Sequence, residues 1–397
     1  MQVEAIEQAN FHEEKTNWSA VYAMSLCVFA LITSEFLPVS LLTPIASDLA
    51  MTEGQAGQTI AVSGLFAVIT SLLIATVTQN KNRRTVMLAL TTIMIISGTV
   101  VTFAPNYQIL MVGRALLGIV IGGFWSLSTA TLMRLLSIGQ LPRGVVLLNA
   151  GNALAGTIAA PLGSFLGAHI GWRGAFFTIV PIACVTLVWQ FISLPQMPAM
   201  ATQRRSGNPL KLLGRFEFSV GMLAIFFLFM GQFAQFTYLR PFLETVTQVS
   251  ATQLSVTLFV IGVGGFVGTL CIGPILRRTL FPVLIFWPII LAILCCMFIG
   301  WGAQFLLCIL LVAAWGFFGT SSSVGWNLWL TKVVPKETEQ GGGLMVAIIQ
   351  LAITAGAGIS GILFDSSGYQ SSFTFAAGLL FIAGVCSALA WWIRRHR

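Results

Sequence analysis

Charge is what this chain has least of: Asp, Glu, Lys and Arg make up 8% of its 397 residues against 57% hydrophobic ones, and the mean hydropathy is +0.91. A soluble fold, with about a quarter of its residues charged, is excluded. Histidine is scarcer still, at three residues. His12, His169 and His396 fall in tails or at a membrane edge, where they assemble neither a nucleophile–base pair nor a metal-ligand cluster, so no enzyme activity is expected. The seven cysteines, Cys27, Cys184, Cys271, Cys295, Cys296, Cys308 and Cys386, lack the spacing of a metal site or a disulfide framework and read as small apolar fillers. Short segments of alternating hydrophobicity are missing, which sets aside a β-barrel. Repeated pore-loop signals are missing too, which disfavours a channel. The first 17 residues are acidic and polar, without the basic-then-apolar pattern and cleavage site of a signal peptide, and are expected to form a cytoplasmic tail.

What the chain has instead is a series of apolar runs of about 20 residues, each long enough to cross a bilayer as a helix. They lie at 18–43, 54–78, 84–104, 107–134, 141–166, 173–194, 216–240, 250–276, 281–301, 304–332, 341–364 and 371–393. The expected fold class is an all-α membrane protein of twelve transmembrane helices. The segment PQMPAMATQRRSGNPLKLLGR is rich in proline, glycine and basic residues and reads as a linker between two halves. QNKNRRTVM after the second run and GPILRR after the eighth give the halves a weak internal symmetry, as in many transporters. The expected organisation is a tail at 1–17, an N-terminal six-helix half at 18–194, a linker at 195–215, a C-terminal half at 216–393 and a tail at 394–397. The formal charge of +8 is topological, because 17 of the 20 Lys and Arg fall between alternate runs on one side. Arg173 and Arg240 fall near the other face, so both termini are expected in the cytoplasm and no nucleic-acid partner is implied.

Two charges lie inside the runs. Arg114, in LMVGRALLGIVIGGFWSLS, is a functional candidate because an intramembrane guanidinium is costly and usually faces a protein interior or a wet cavity. Four-residue steps from it reach Gly118, Gly122 and Ser126, a stripe along which another helix can pack. Glu35 lies in the first run. A rise of about 1.5 Å per residue puts it roughly 25 Å up a ~30 Å core from Trp18, and puts Arg114 roughly 10 Å below the same outer face. The shared depth predicts a pairing, and a carboxylate whose proton affinity varies with its access to Arg114 and water is suited to carrying a proton. The alternatives are a static buried ion pair and a packing arginine. Pro38 and Pro44 are expected to break the outer end of the first helix, and Asp48 and Glu53 to be solvated loop charges.

The fifth run is crowded with small residues, among them Gly156 and Gly163, and Pro161 bends it, so close helix approach is expected there. Polar and aromatic groups in this and other runs are candidates for a cavity wall near the level where the halves meet. These are Phe124, Trp125, Asn152, Gln232, Gln235, Tyr238, Trp326, Asn327 and Gln350. Gln232, Gln235, Tyr238, Trp326 and Asn327 are each alternatively a helix–helix hydrogen bond or an interface anchor, with Asn327 bonding a backbone carbonyl, and Trp125 alternatively packs against the fifth helix. Trp391 and Trp392, beside Arg394 and Arg395, read as belt anchors.

LMVGRALLGIVIGG, AGTIAAPLGSFLG and GWRGAFF resemble, respectively, the fourth-, fifth- and sixth-helix motifs of the major facilitator superfamily, in its drug:proton antiporter branch. The resemblance spans essentially the whole chain. It implies two pseudo-symmetric six-helix halves in a bacterial inner membrane, alternating access, a proton gradient as the energy source with no cofactor, and a role for Arg114 in proton coupling. NWSAVYAMSLCVFALITSEFLPVSLLTPIASDLAMTEGQAGQ, GGFWSLSTATLMRL, GQFAQFTYLRP and VGWNLWLT are further similar to the purine ribonucleoside efflux pumps of that branch. That similarity implies proton-driven export of nucleosides of the inosine and guanosine class, with drug or sugar efflux as the alternative. Asn82 stands where the family's loop after the second helix carries an aspartate. The expected partners are a small-molecule substrate, protons and the lipid bilayer, and a monomer is expected.

Overall fold

The structure, a computed structural model, describes residues 17–137, 139–198, 209–335 and 337–396. Residues 1–16 of the tail expected at 1–17 and the middle of the linker, 199–208, lie outside the described residues. In hydrocarbon every backbone N–H and C=O needs an internal partner, and an apolar chain of this kind satisfies them as helix. Capping residues open several spans. Asn17 begins α1 (Trp18–Asp48), a Thr52–Gln55 capping box begins α2 (Glu53–Val77), Asn82 begins α3 (Arg83–Thr102) and Asn106 begins α4 (Tyr107–Leu135). The helical stretch Leu141–Phe177 is broken at Gly171, whose φ of 73° places it in the left-handed region. It divides there into α5 (141–170) and the start of α6 (172–193).

The second half repeats this plan. α7 (Phe216–Phe236) is followed by a short helix, Leu239–Thr245. Ala251–Trp301, opened by a Ser250–Gln253 capping box, is kinked at Thr279 into α8 (251–278) and α9 (280–301). α10 is Phe305–Val333. Thr338–Arg395 turns at Gly368, with φ 74°, into α11 (338–367) and α12 (369–395). The twelve helices form two pseudo-symmetric halves of six. Each half has its own apolar core, and large side chains such as Leu72, Val77, Phe103, Ile192 and Leu306 are exposed on the outside, where lipid covers them.

α1 does not end at its prolines; it runs through Pro38 and Pro44 to Asp48. Asp48 is no loop charge either, since it pairs with Arg173 and accepts from Trp172 Nε1 at 3.2 Å. Arg173 also donates to the Ala104 carbonyl at 2.8 Å, so the GWRG stretch ties α6 to the ends of α1 and α3. Asn82 caps α3 through the Arg84 N–H, accepts from the Met197 N–H at 3.1 Å and donates to Gln196 Oε1, which holds the start of the linker.

Glycines set the close approaches. A methyl group on Gly118 would lie 2.2 Å from the Ser63 carbonyl, and one on Gly122 2.1 Å from that of Ala67, so α4 lies backbone to backbone on α2. Gly163 instead leaves room for side chains of α1: a methyl group there would lie 2.3 Å from Ser40 Oγ. Gly156 departs from the expectation: nothing lies within 4 Å of where its side chain would be, because its face of α5 meets no helix there.

The halves meet along α2 with α11 and α5 with α8. At Gly262 of α8 a methyl group would lie 2.4 Å from the Thr157 carbonyl, the acceptor that Pro161 leaves without its helical donor. Ser255 of α8 donates to Ser164 of α5 at 3.0 Å. At the face opposite the chain ends, Asp365 of α11 accepts from Thr52 Oγ1 at 2.5 Å and from the Gly54 N–H at 2.9 Å, at the N-terminus of α2. Among the described residues, the hydrogen bonds that cross between halves lie from mid-depth to this far face. Towards the chain ends they stay within a half or its linker, as in Asn17 with Leu135, Arg134 with Pro198 and Arg215 with Glu337. The molecule is closed at the far face.

Candidate functional site

The site begins with Pro38. Lacking an N–H, it leaves the Ser34 carbonyl, four residues back, without its helical donor, inside a membrane where an orphan carbonyl is costly. Arg114 of α4 supplies the missing donor. Its Nη1 donates to the Ser34 carbonyl at 2.8 Å, Nη2 to the Glu35 carbonyl and to Ser63 Oγ at 3.2 Å each, and Nε to the Thr59 carbonyl at 3.1 Å. Only 1% of Arg114 is exposed. The guanidinium thus joins α1, α2 and α4 through backbone and hydroxyl oxygens.

Glu35 lies at the same level as Arg114, but its carboxylate points elsewhere. Among the described residues no ion pair joins the two; instead Glu35 Oε1 accepts from Gln350 Nε2 of α11 at 3.4 Å. This contact crosses from one half to the other. α11 reaches that position because Gly64 of α2 leaves room for Thr354, whose Oγ1 would lie 2.3 Å from a methyl group there. Just outward of Glu35, Phe36, Val39, Ile60, Phe233, Ile353 and Ala357 from both halves form an apolar plug, with Phe36 and Phe233 ring centroids 5.9 Å apart. The plug separates the carboxylate from the far face. Access to it requires movement of the halves or an opening on the side of the chain ends.

The expected cavity residues do not converge. Phe124 is fully buried in the N-terminal core, edge-on to the half-buried Trp125 at 6.4 Å. Trp326 is 5.2 Å from Trp329, which stacks on Phe218, all within the C-terminal core. These two rings therefore serve packing in this state. Tyr238 is also withdrawn: fully buried, it donates to the Ala357 carbonyl at 3.0 Å and stacks on Phe364. Gly57 and Gly361 leave the space for its hydroxyl, making Tyr238 part of the far-face closure. Gln235 is fully buried with neither amide atom partnered among the described residues, and Gln232 Nε2 also has no partner there. Asn152 and Gln232 are half-buried, and Asn327 is exposed with its amide turned back to the Ser323 carbonyl at 2.8 Å. Among the described residues no group of three or more His, Cys, Asp or Glu could hold a metal.

Sequence reasoning missed that Arg114 binds the backbone of α1. The signal was present in Pro38, because the carbonyl four residues before a proline needs a donor. That Gln350 would face Glu35 has no counterpart in local sequence, since it depends on how the halves dock.

Comparison with known proteins places the chain. The profile of the Major Facilitator Superfamily matches residues 24–341. A Pseudomonas aeruginosa relative named transcription regulatory protein OpdE is 50% identical over 393 residues, 98% of each chain. The purine ribonucleoside efflux pump NepI of Salmonella typhimurium is 37% identical over 374 residues, 94% of each chain. Among solved structures, a bacterial homolog of the human lysosomal transporter Spinster, inward-facing and unoccupied, superposes with a TM-score of 0.77 at 14% identity, covering 95% of this chain and 97% of its own. A D-xylose–proton symporter gives 0.74 at 16% identity, covering 94% and 97%. With twelve helices in two halves and a profile match over most of its length, this chain belongs to the Major Facilitator Superfamily.

Proposed function

We propose that this transporter exports purine ribonucleosides from the cytoplasm in exchange for protons, by alternating access between its halves. One observation carries the reading. Glu35 is a buried carboxylate in contact with Gln350 of the opposite half, so a change in its protonation acts directly on the contact that changes as the halves rock. Arg114 fixes the backbone beside it and so sets where the carboxylate sits. The nucleoside assignment is supported by the name of the 37%-identical relatives; Trp125, Asn152, Gln232 and Asn327, which stay half-buried or exposed, would have to converge in another state of the cycle to stack and hydrogen-bond a base. Basic residues on the side of the chain ends support an inner-membrane orientation with both termini in the cytoplasm.

Uptake of radiolabelled inosine into inverted vesicles, with and without an imposed inside-acid gradient, tests the proposal. Gradient-dependent accumulation is expected, and inosine transport that ignores the gradient would exclude coupling. The name of the 50%-identical relative favours a second reading, in which the chain influences transcription. A transcriptional effect that persists in a Glu35→Gln variant without transport would favour that reading.

A further inference from the structure

α1 carries two prolines, and each leaves one carbonyl without a helical donor: Pro38 frees that of Ser34, and Pro44 frees that of Ser40. The first is answered within the N-terminal half by Arg114. The second is answered from the other half, by Arg240 Nη1. Ser40 cannot serve its own carbonyl, because its hydroxyl donates back to the Leu37 carbonyl at 3.0 Å. Arg240 is aimed from its own helix, Leu239–Thr245, where its Nε donates to Glu244 Oε1 at 2.8 Å. Two residues earlier, Tyr238 donates to the Ala357 carbonyl and reaches that of Gly54 at 3.5 Å. The C-terminal half therefore grips both α1 and α2 from one short stretch.

We propose that Arg240 is a positioning residue of the transport cycle, which holds α1, and with it Glu35, against the C-terminal half by occupying the carbonyl that Pro44 leaves free. The carbonyl is a latch because α1 cannot satisfy it alone. While the far face is closed Arg240 supplies the donor, and when that face opens water takes its place. A helix without Pro44 would have its own N–H at that point and would release the arginine at less cost.

The geometry stands apart from the choice of substrate, so the test does not depend on transport. Ala357 is fully buried in the apolar plug, and a cysteine there becomes reactive only when the far face opens. In purified full-length protein, maleimide labelling of Ala357→Cys is followed against the chain without that substitution, alongside thermal melting. Arg240→Ala and Pro44→Ala are each expected to raise the labelling rate roughly ten-fold or more, the scale of one charge-assisted hydrogen bond. The double variant should exceed neither, and Arg240→Lys, with a single ammonium to share between Glu244 and Ser40, should fall between parent and alanine. An unchanged rate in Pro44→Ala, or additive effects in the double variant, would overturn the proposal. If Arg240→Ala does not fold, Pro44→Ala and Arg240→Lys carry the same test.

Discussion

Every hydrogen bond made by Arg114 ends on a buried residue, but of these acceptors only the Ser34 carbonyl lacks a helical donor of its own, so replacing the guanidinium removes four bonds and leaves that one carbonyl unmet. Such an orphan costs roughly 1–3 kcal/mol. Arg114→Lys, which offers a point charge in place of a planar fork, is expected to lower the thermal midpoint of the purified protein, and Arg114→Ala to lower it further. Pro38→Ala should restore part of the loss in Arg114→Ala, because an N–H at position 38 returns to Ser34 its own helical donor; absence of any rescue would mean that the arginine acts through its other contacts. Glu35→Gln removes the titratable proton and keeps the side chain's size. Gradient-driven inosine uptake should vanish while inosine exchange without a gradient survives, and full gradient-driven uptake would remove Glu35 from the mechanism. At this scale the sequence showed which groups were out of place in hydrocarbon, Glu35 and Arg114, because their cost is intrinsic. It did not show their partners. Glu35 and Arg114 lie at one level, where a guanidinium chooses between a carboxylate and a freed carbonyl, and the proline decides that choice.

Among the helices, small residues matter where a neighbour is close and not elsewhere. Gly118→Ala and Gly122→Ala would push methyl groups to 2.2 and 2.1 Å from carbonyls of α2 and are expected to reduce folded yield. Gly156→Ala meets nothing and should leave yield unchanged or raise the thermal midpoint, since alanine is favoured over glycine in a helix interior by about 1 kcal/mol. Fluorescence-detected size exclusion of the three variants separates them, and equal behaviour would mean that α4 and α2 can move apart at no cost. The spans themselves were legible because hydrocarbon leaves an apolar chain of twenty residues little other choice. Which glycines touch a neighbour was not, since a stripe with four-residue spacing fixes a face of a helix without saying what that face meets. The same limit explains Phe124 and Trp326, whose aromatic character suits a stacking pocket and an apolar core equally.

For the whole molecule, closure of the far face depends on a few polar contacts around the apolar plug. Asp365 offers its carboxylate to the N-terminus of α2, where a negative charge is worth about 0.3–1 kcal/mol at an exposed site. Asp365→Asn is expected to raise labelling of Ala357→Cys by only a few-fold, less than Arg240→Ala, and high salt should narrow the difference between this variant and its parent. A larger effect than that of Arg240→Ala would make this contact the main closure. The division into halves was legible from the linker composition and from the paired motifs. The docking of α2 on α11, and so the meeting of Glu35 with Gln350, was not, because it joins residues 315 positions apart. The turns at Gly171 and Gly368 also bear on engineering of the chain. With one left-handed residue reversing direction between α5 and α6, and again between α11 and α12, neither hairpin has a loop to receive an epitope tag. The connection between α6 and α7 is the place to divide the gene, so that each half, with its own core, is made as a separate polypeptide.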